Sequence, residues 1–192
     1  EPVGVRVVEG DAMRLDWSSL LGPSSSSASS WTLVANLPYN VATPLVADLL
    51  DGVPQIARML VMVQREVGER LAASVGSEAY GAVSVKVAYW ATARVAGRVP
   101  PSVFLPPPKV ESALVDIRRR PTPAVADVDP SWLFNLVSTG FGQRRKMLRG
   151  SLGGLVGPQE FACAGVAPQA RPEELDVAAW GRLARCTTPP PS

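Results

Sequence analysis

Short β-branched or apolar runs alternate with helix-patterned segments as far as Ile117, and beyond Pro130 only helical patterns remain. That switch limits the chain to an α/β layer followed by a small helical appendage. The strand-like runs are Val5–Val8, Trp31–Ala35, Arg58–Val63, Ala93–Val99 and Ala113–Ile117. Between them, Thr43 and Pro44 supply an N-cap and first turn for a helix to about Leu50. Gln64 to about Ser74 is helical with Val67, Leu71 and Val75 on one face, and Tyr80–Trp90 forms another helix. Residues 1–120 are therefore one α/β unit, 121–130 a proline-containing linker, 131–186 the appendage and 187–192 a tail. Within the appendage, helices are expected over Trp132–Gly140, Arg144–Leu152, Pro158–Ala164 and Pro172–Arg185.

Composition removes several kinds of chemistry. The chain has no histidine, so the commonest general base and the Ser-His-Asp triad are unavailable. Its two cysteines, Cys163 and Cys186, have no neighbours at metal-ligand spacing and could pair only with each other; the reduced state of a cytoplasmic protein is the expectation. No metal site is expected. No apolar run approaches the ~18–20 residues that span a bilayer, so no membrane partner is expected either. The segment Ser24–Ser30 is nearly all serine and reads as a surface insertion. The chain opens without Met, close to the Val5–Val8 run, and is read as a fragment entered in mid-fold, with apolar surface exposed and poor solubility.

The sharpest local feature is Asn36-Leu37-Pro38-Tyr39, at the end of the Trp31–Ala35 run. Ligands of open α/β sheets bind outside the carboxyl ends of strands, where this tetrapeptide falls. Its residues suit an exocyclic adenine amine, a poor nucleophile because its lone pair is delocalised into the ring. The Asn36 side-chain carbonyl and a backbone carbonyl can accept the two N–H bonds, Pro38 stiffens the turn, and Tyr39 offers a face for an extruded base. With a methyl-sulfonium donor no strong base is needed, which suits a chain without histidine. The tetrapeptide alone is equally compatible with a simple strand-ending turn.

Basic residues cluster rather than dominate, since the formal charge is only +2. Arg144, Arg145, Lys146 and Arg149 fall within about one and a half turns of the expected helix, where they either contact phosphate or form a solvated face. Arg118-Arg119-Arg120 either extends that patch or ends a strand.

Asn36-Leu37-Pro38-Tyr39-Asn40, Gln64-Arg65-Glu66-Val67, Tyr80-Gly81, Val103–Ser112 (VFLPPPKVES) and Phe141–Lys146 (FGQRRK) follow one another in order. Together, over about Val5 to Leu183, they closely resemble the ribosomal RNA adenine N6-dimethyltransferases, and within them the bacterial small-subunit branch. The resemblance implies a Rossmann-like S-adenosylmethionine-dependent methyltransferase core, incomplete at its N-terminus, with a small C-terminal α-helical domain that grips structured RNA. It implies that Asp11, beside Ala12, contacts the adenine ring of S-adenosylmethionine, and that Asn36 touches both cofactor and target amine. Leu37 and Pro38 match the backbone that receives the amine, Tyr39 the stacking aromatic, and Phe104 a second aromatic closing on the flipped base. Arg144, Arg145, Lys146 and Arg149 become phosphate contacts, while Gln64-Arg65-Glu66 is assigned mainly to structure, through ion pairs. The implied substrate is the pair of adjacent adenines in the 3′-terminal hairpin of small-subunit ribosomal RNA, on a 30S-type assembly intermediate, modified by a cytoplasmic monomer.

The family's glycine-rich loop after its first strand, and the acidic residue after its second, are not found here and are expected before Glu1. Two rivals stay open: a large-subunit ribosomal RNA adenine methyltransferase, and a non-catalytic RNA-binding or ribosome-assembly factor on the same fold. A DNA amine methyltransferase is a more distant alternative.

Overall fold

A computed structural model describes residues 4–22 and 30–189. The serine-rich segment falls outside these, apart from Ser30. Four strands form one sheet: β1 (Trp31–Asn36), β2 (Ile56–Gln64), β3 (Ala91–Val99) and β4 (Ser112–Arg119), in the order β1-β2-β4-β3. Only β1 and β2 run parallel; β4 is antiparallel to both β2 and β3. The sheet is therefore mixed rather than the parallel one that strand–helix alternation suggests. The cause is the Pro100–Glu111 segment, which contains only the 3₁₀ turn Pro101–Val103 and so returns β4 beside β3 as a long hairpin.

Val5–Val8 forms no strand. No described segment pairs with it, and its valines at 5, 7 and 8 are exposed. A β-branched run fixes local preference, but a strand also needs a neighbour for its backbone donors and acceptors. A short helix the sequence did not signal, α1 (Trp17–Leu21), follows, with the Asp16 carboxylate accepting from the Ser19 amide at its start.

One face of the sheet carries the core. Met59, Val61 and Val63 of β2 and Ala113, Val115 and Ile117 of β4 are buried against α2 (Ala42–Gly52), α3 (Arg65–Leu71) and α4 (Ala82–Trp90). α2 contributes Leu45, Val46, Leu49 and Leu50, each about 1.5–3 kcal/mol by burial. α3 lies close on β4: a Cβ at Gly68 would come 2.9 Å from the Ala113 Cβ, so only glycine fits. α3 ends at Leu71, and Val75, expected on its apolar face, is exposed.

α4 is apolar on two sides, and that joins the two parts of the molecule. Val87 faces the sheet core, whereas Val85 and Tyr89 enter a second core with Trp132, Leu133, Leu136, Leu148, Phe161, Trp180 and Leu183. That core is built by α5 (Pro130–Gly142), α6 (Leu148–Ser151), α7 (Pro158–Ala164) and α8 (Val177–Cys186). The stretch of linker composition is pinned to it, because Val125 is buried and a Cβ on Gly181 would come 2.5 Å from Val125 Cγ1. Thr187, assigned to a tail by sequence, is also buried and accepts a 2.9 Å bond from the Trp132 indole N–H.

Three expectations in the appendage change. The helix expected over Arg144–Leu152 shortens to Leu148–Ser151, because Gln143–Met147 turns, with the Lys146 amide donating to the Gln143 carbonyl. The Pro172–Arg185 helix divides into a 3₁₀ turn at Pro172–Glu174 and α8, whose start is capped by Asp176 accepting from the Ala179 amide. Cys163 of α7 and Cys186 of α8 are joined in a disulfide, in place of the expected free thiols. α7 packs along α8, which brings two cysteines 23 residues apart in sequence to one point. Among the described residues no helix is long and apolar enough to cross a membrane.

Candidate functional site

β1 stops at Asn36, but its pairing continues one residue further, since the Leu37 amide donates to the Met62 carbonyl at 3.0 Å. Leu37 buries its side chain in the sheet core, which anchors the turn. The Pro38 carbonyl then accepts from both the Val41 and Ala42 amides, each at 3.1 Å. Those bonds start α2 two residues before the expected Thr43 cap, and Val41 occupies the cap position without a side-chain bond. Pro44 sits in the first turn, where its missing N–H costs nothing.

This wiring separates two carbonyls that the sequence treats alike. The Pro38 oxygen is occupied by the helix start, whereas the Leu37 oxygen accepts no hydrogen bond among the described residues. Asn36 presents an exposed side-chain amide beside it. Two polar groups capable of accepting from an amine therefore meet at the carboxyl end of β1.

Across from the turn, the Pro100–Glu111 segment brings Phe104, Pro106 and Pro108 to face it. Asn36, Leu37, Pro38 and Tyr39 line an open cavity of about 330 Å³ with these three residues and Ser112. Phe104 is half-buried and Tyr39 is 38 % exposed, so both aromatic side chains remain reachable from solvent. The Tyr39 hydroxyl lies 3.4 Å from Ser112 Oγ, and Ser112 is itself buried at the start of β4. Sequence reading placed Ser112 only at the end of a motif; its position just after the proline segment is the signal that could have marked it.

The far end of the segment is fastened at Arg65. Its amide donates to the Glu111 carbonyl at 2.9 Å, and its guanidinium meets the Glu111 carboxylate at 2.9 Å and Glu69 at 3.7 Å. The structural role expected of Gln64-Arg65-Glu66 thus belongs to Arg65.

Asp11 and Ala12 do not line this cavity. They lie in the loop before α1, where Asp11 Oδ1 accepts from the Met13 amide at 2.9 Å and Oδ2 faces Arg14 at 3.7 Å. Ala12 packs against the sheet core, and its carbonyl accepts from the Trp17 indole at 2.9 Å.

The two basic runs have different fates. Arg144 donates to the Glu78 carbonyl at 3.0 Å and faces Glu173 at 3.8 Å, so it ties the turn to the body. Arg145, Lys146 and Arg149 are exposed and have no acidic partner within 4.0 Å among the described residues. They are not on one helix, as expected, but on a turn and the helix after it. Arg119, by contrast, donates to the carbonyls of Leu49, Leu50, Val53 and Ile56 at 2.8–3.1 Å, closing the C-terminal end of α2. Arg120 donates to the Ala88 and Ala91 carbonyls, and Arg118 joins Arg58 and Arg94 around Asp116. The Arg118–Arg120 run is a strand end and does not extend the patch. The hydrogen bond from Arg58, reinforced by Arg118, holds the Asp116 carboxyl down at about 2.

The family model for ribosomal RNA adenine dimethylase matches residues 3–188. Ribosomal RNA small subunit methyltransferase A of Synechococcus sp. (strain JA-3-3Ab) is 46% identical over 182 residues, covering 91% of this chain and 62% of that protein. The protein of the same name from Kineococcus radiotolerans is 45% identical over 183 residues, covering 93% of this chain and 58% of its own length. The chain thus spans about three fifths of these relatives. Among solved structures, a dimethyladenosine transferase from Plasmodium falciparum superposes with a TM-score of 0.70 at 22% identity, covering 92% of this chain and 70% of that one. The 23S rRNA methyltransferase ErmE gives 0.64 at 20% identity, covering 93% and 70%. These two likenesses support the Rossmann-like fold. The family match over nearly the whole chain supports more, and with it the strand-end turn has a lineage: this chain belongs to the ribosomal RNA adenine dimethylase family.

Proposed function

We propose that the protein methylates the N6 amine of adenine in small-subunit ribosomal RNA, with S-adenosylmethionine as donor. The targets would be two adjacent adenines of the 3′-terminal hairpin, each modified twice, on a partly assembled small subunit. The observation that carries this reading is the pair of acceptors, Asn36 and the Leu37 carbonyl, in one cavity with Tyr39 and Phe104.

An adenine extruded from its stack needs both aromatic faces and hydrogen-bond partners to offset the cost, on the order of a few kcal/mol. Tyr39 and Phe104 provide faces on opposite walls. Asn36 Oδ1 and the Leu37 carbonyl accept the two N–H bonds of the amine and draw its nitrogen toward tetrahedral geometry, so that its lone pair is freed from the ring. The Pro38 carbonyl is already committed to α2 and holds the turn still. Such fixed dipoles act through positioning and through stabilising the cationic amine that forms. The proton is then lost to solvent from an acidic ammonium, with no side-chain base required.

The residues present fit the donor. Among the described residues Asp11 Oδ2 has only the 3.7 Å contact with Arg14, which leaves it able to accept from an adenine amine, and Ala12 packs beside it on the sheet core. The bound donor supplies an electrophilic methyl group on a sulfonium sulfur. Arg145, Lys146 and Arg149 contact RNA phosphates and set register without reading sequence. The reading is tested by expressing the full-length protein in cells whose small-subunit RNA lacks the modification. Primer-extension stops at two adjacent adenines of the 3′-terminal hairpin are expected; stops only in large-subunit RNA, or none, would refute it.

A further inference from the structure

Leu105 is 99 % exposed, while its neighbours Phe104 and Pro106 both line the base cavity. A leucine with nearly its whole surface in water contributes nothing to the fold, and its burial by a partner is favourable. The tip is also stiff, because Pro100, Pro101, Pro106, Pro107 and Pro108 surround it, and it is held at Arg65 by the Glu111 carbonyl and carboxylate. Val103 on the same tip is 63 % exposed, so the apolar surface is not one stray side chain. From Phe104 to Leu105 the chain thus passes from the wall of the base cavity to its outside rim.

We infer that Leu105 is an apolar wedge that enters the RNA stack at the space vacated by the extruded adenine. The inference rests on the proposed reading of the cavity and assigns a residue outside it. An extruded base leaves its two former neighbours without a stacking partner, and proteins that unstack nucleic acid insert Leu, Phe, Ile, Met or Pro side chains at such steps. The occupant is a nucleobase stack and not a phosphate, because the tip between Val103 and Pro108 carries no charge. Lys109, the first basic residue after the tip, is exposed and has no acidic partner within 4.0 Å among the described residues, so it is free to meet the backbone of the same strand.

The test uses the full-length protein, S-adenosylmethionine and two RNAs: a hairpin with the target adenine stacked, and a single-stranded oligonucleotide with that adenine already unstacked. Leu105→Ser should lower kcat/KM about tenfold on the hairpin and by less than about twofold on the oligonucleotide, because only the hairpin needs the wedge. Leu105→Met should restore the hairpin rate. With 2-aminopurine at the target position, binding of the hairpin should raise fluorescence, and Leu105→Ser should blunt the rise. Equal losses on both RNAs, or no loss on either, would overturn the wedge. Failure of the unsubstituted protein to methylate partly assembled small subunits that lack the modification would overturn the function on which it rests, whatever the two RNAs show.

Discussion

Arg118–Arg120 and Arg144–Lys146 look alike as sequence, and the fold uses them oppositely. In the first run every guanidinium is consumed, Arg119 by four carbonyls, Arg120 by two and Arg118 by Asp116. In the second, only Arg144 is tied down among the described residues, and Arg145 and Lys146 are exposed. The difference lies in what surrounds each run. β4 ends beside the C-terminal turn of α2, where unpaired carbonyls and the negative end of the helix dipole call for a cation. The turn after α5 also follows a helix end, but among the described residues only Arg144 reaches a carbonyl there, that of Glu78. A run of like charges thus becomes structure where carbonyls lie within reach of its guanidiniums, and a candidate nucleic-acid surface where they do not.

Removing Arg119 should produce the largest effect. Arg119→Ala removes four hydrogen bonds to part-buried carbonyls, of which those of Leu49 and Val53 keep a backbone donor, and a loss of about 3 kcal/mol is expected in urea unfolding. A change under about 0.5 kcal/mol, the usual range for surface sites, would erase the contrast between the runs.

The arginine cluster on Asp116 comes next, and it acts through pH. Arg58, then Arg118, favours the carboxylate, so the folded-state value of about 2 lies below the ordinary 3.8. A group depressed in this way stabilises the fold above pH about 4 and loses that contribution as pH falls toward about 2. Urea midpoints of the protein and of Asp116→Asn should therefore differ at pH 6 and converge near pH 2. A constant difference across that range would show that the ion pairs contribute little.

Arg144→Ala should cost about 1 kcal/mol, because one hydrogen bond and one long ion pair are lost at a partly exposed site. The smallest stability effects belong to Arg145→Ala and Lys146→Ala, each within about 0.5 kcal/mol of the parent. Their effect should appear in RNA titrations instead, where each lowers the slope of log affinity against log salt by about 0.7–0.9. Unchanged slopes would place the RNA surface elsewhere.

Much of the site was legible in the residues. Asn36–Tyr39 announces itself because an apolar strand stops at a proline turn, and β2, α4, α5 and α7 follow from periodicity with shifted ends. What local pattern could not supply was tertiary. Val5–Val8 has a strand's composition and no strand beside it. The antiparallel placement of β4 depends on how a proline-rich segment folds back, which hydrophobic alternation does not encode. The Cys163–Cys186 bond needs α7 laid along α8, and their separation in sequence says nothing of that. Which carbonyl of Leu37-Pro38 stays free was likewise invisible until the start of α2 was known.

Asn36 is the most direct test of the whole account. In the full-length protein, Asn36→Ala should reduce methylation by about 100-fold or more, as loss of one preorganised polar group at a reacting centre does. RNA affinity and its salt dependence should stay within about twofold, since the proposed phosphate contacts lie on another turn. Methylation at the parental rate would show that the side-chain carbonyl does not hold the amine, and the assignment of this cavity to adenine chemistry would fail.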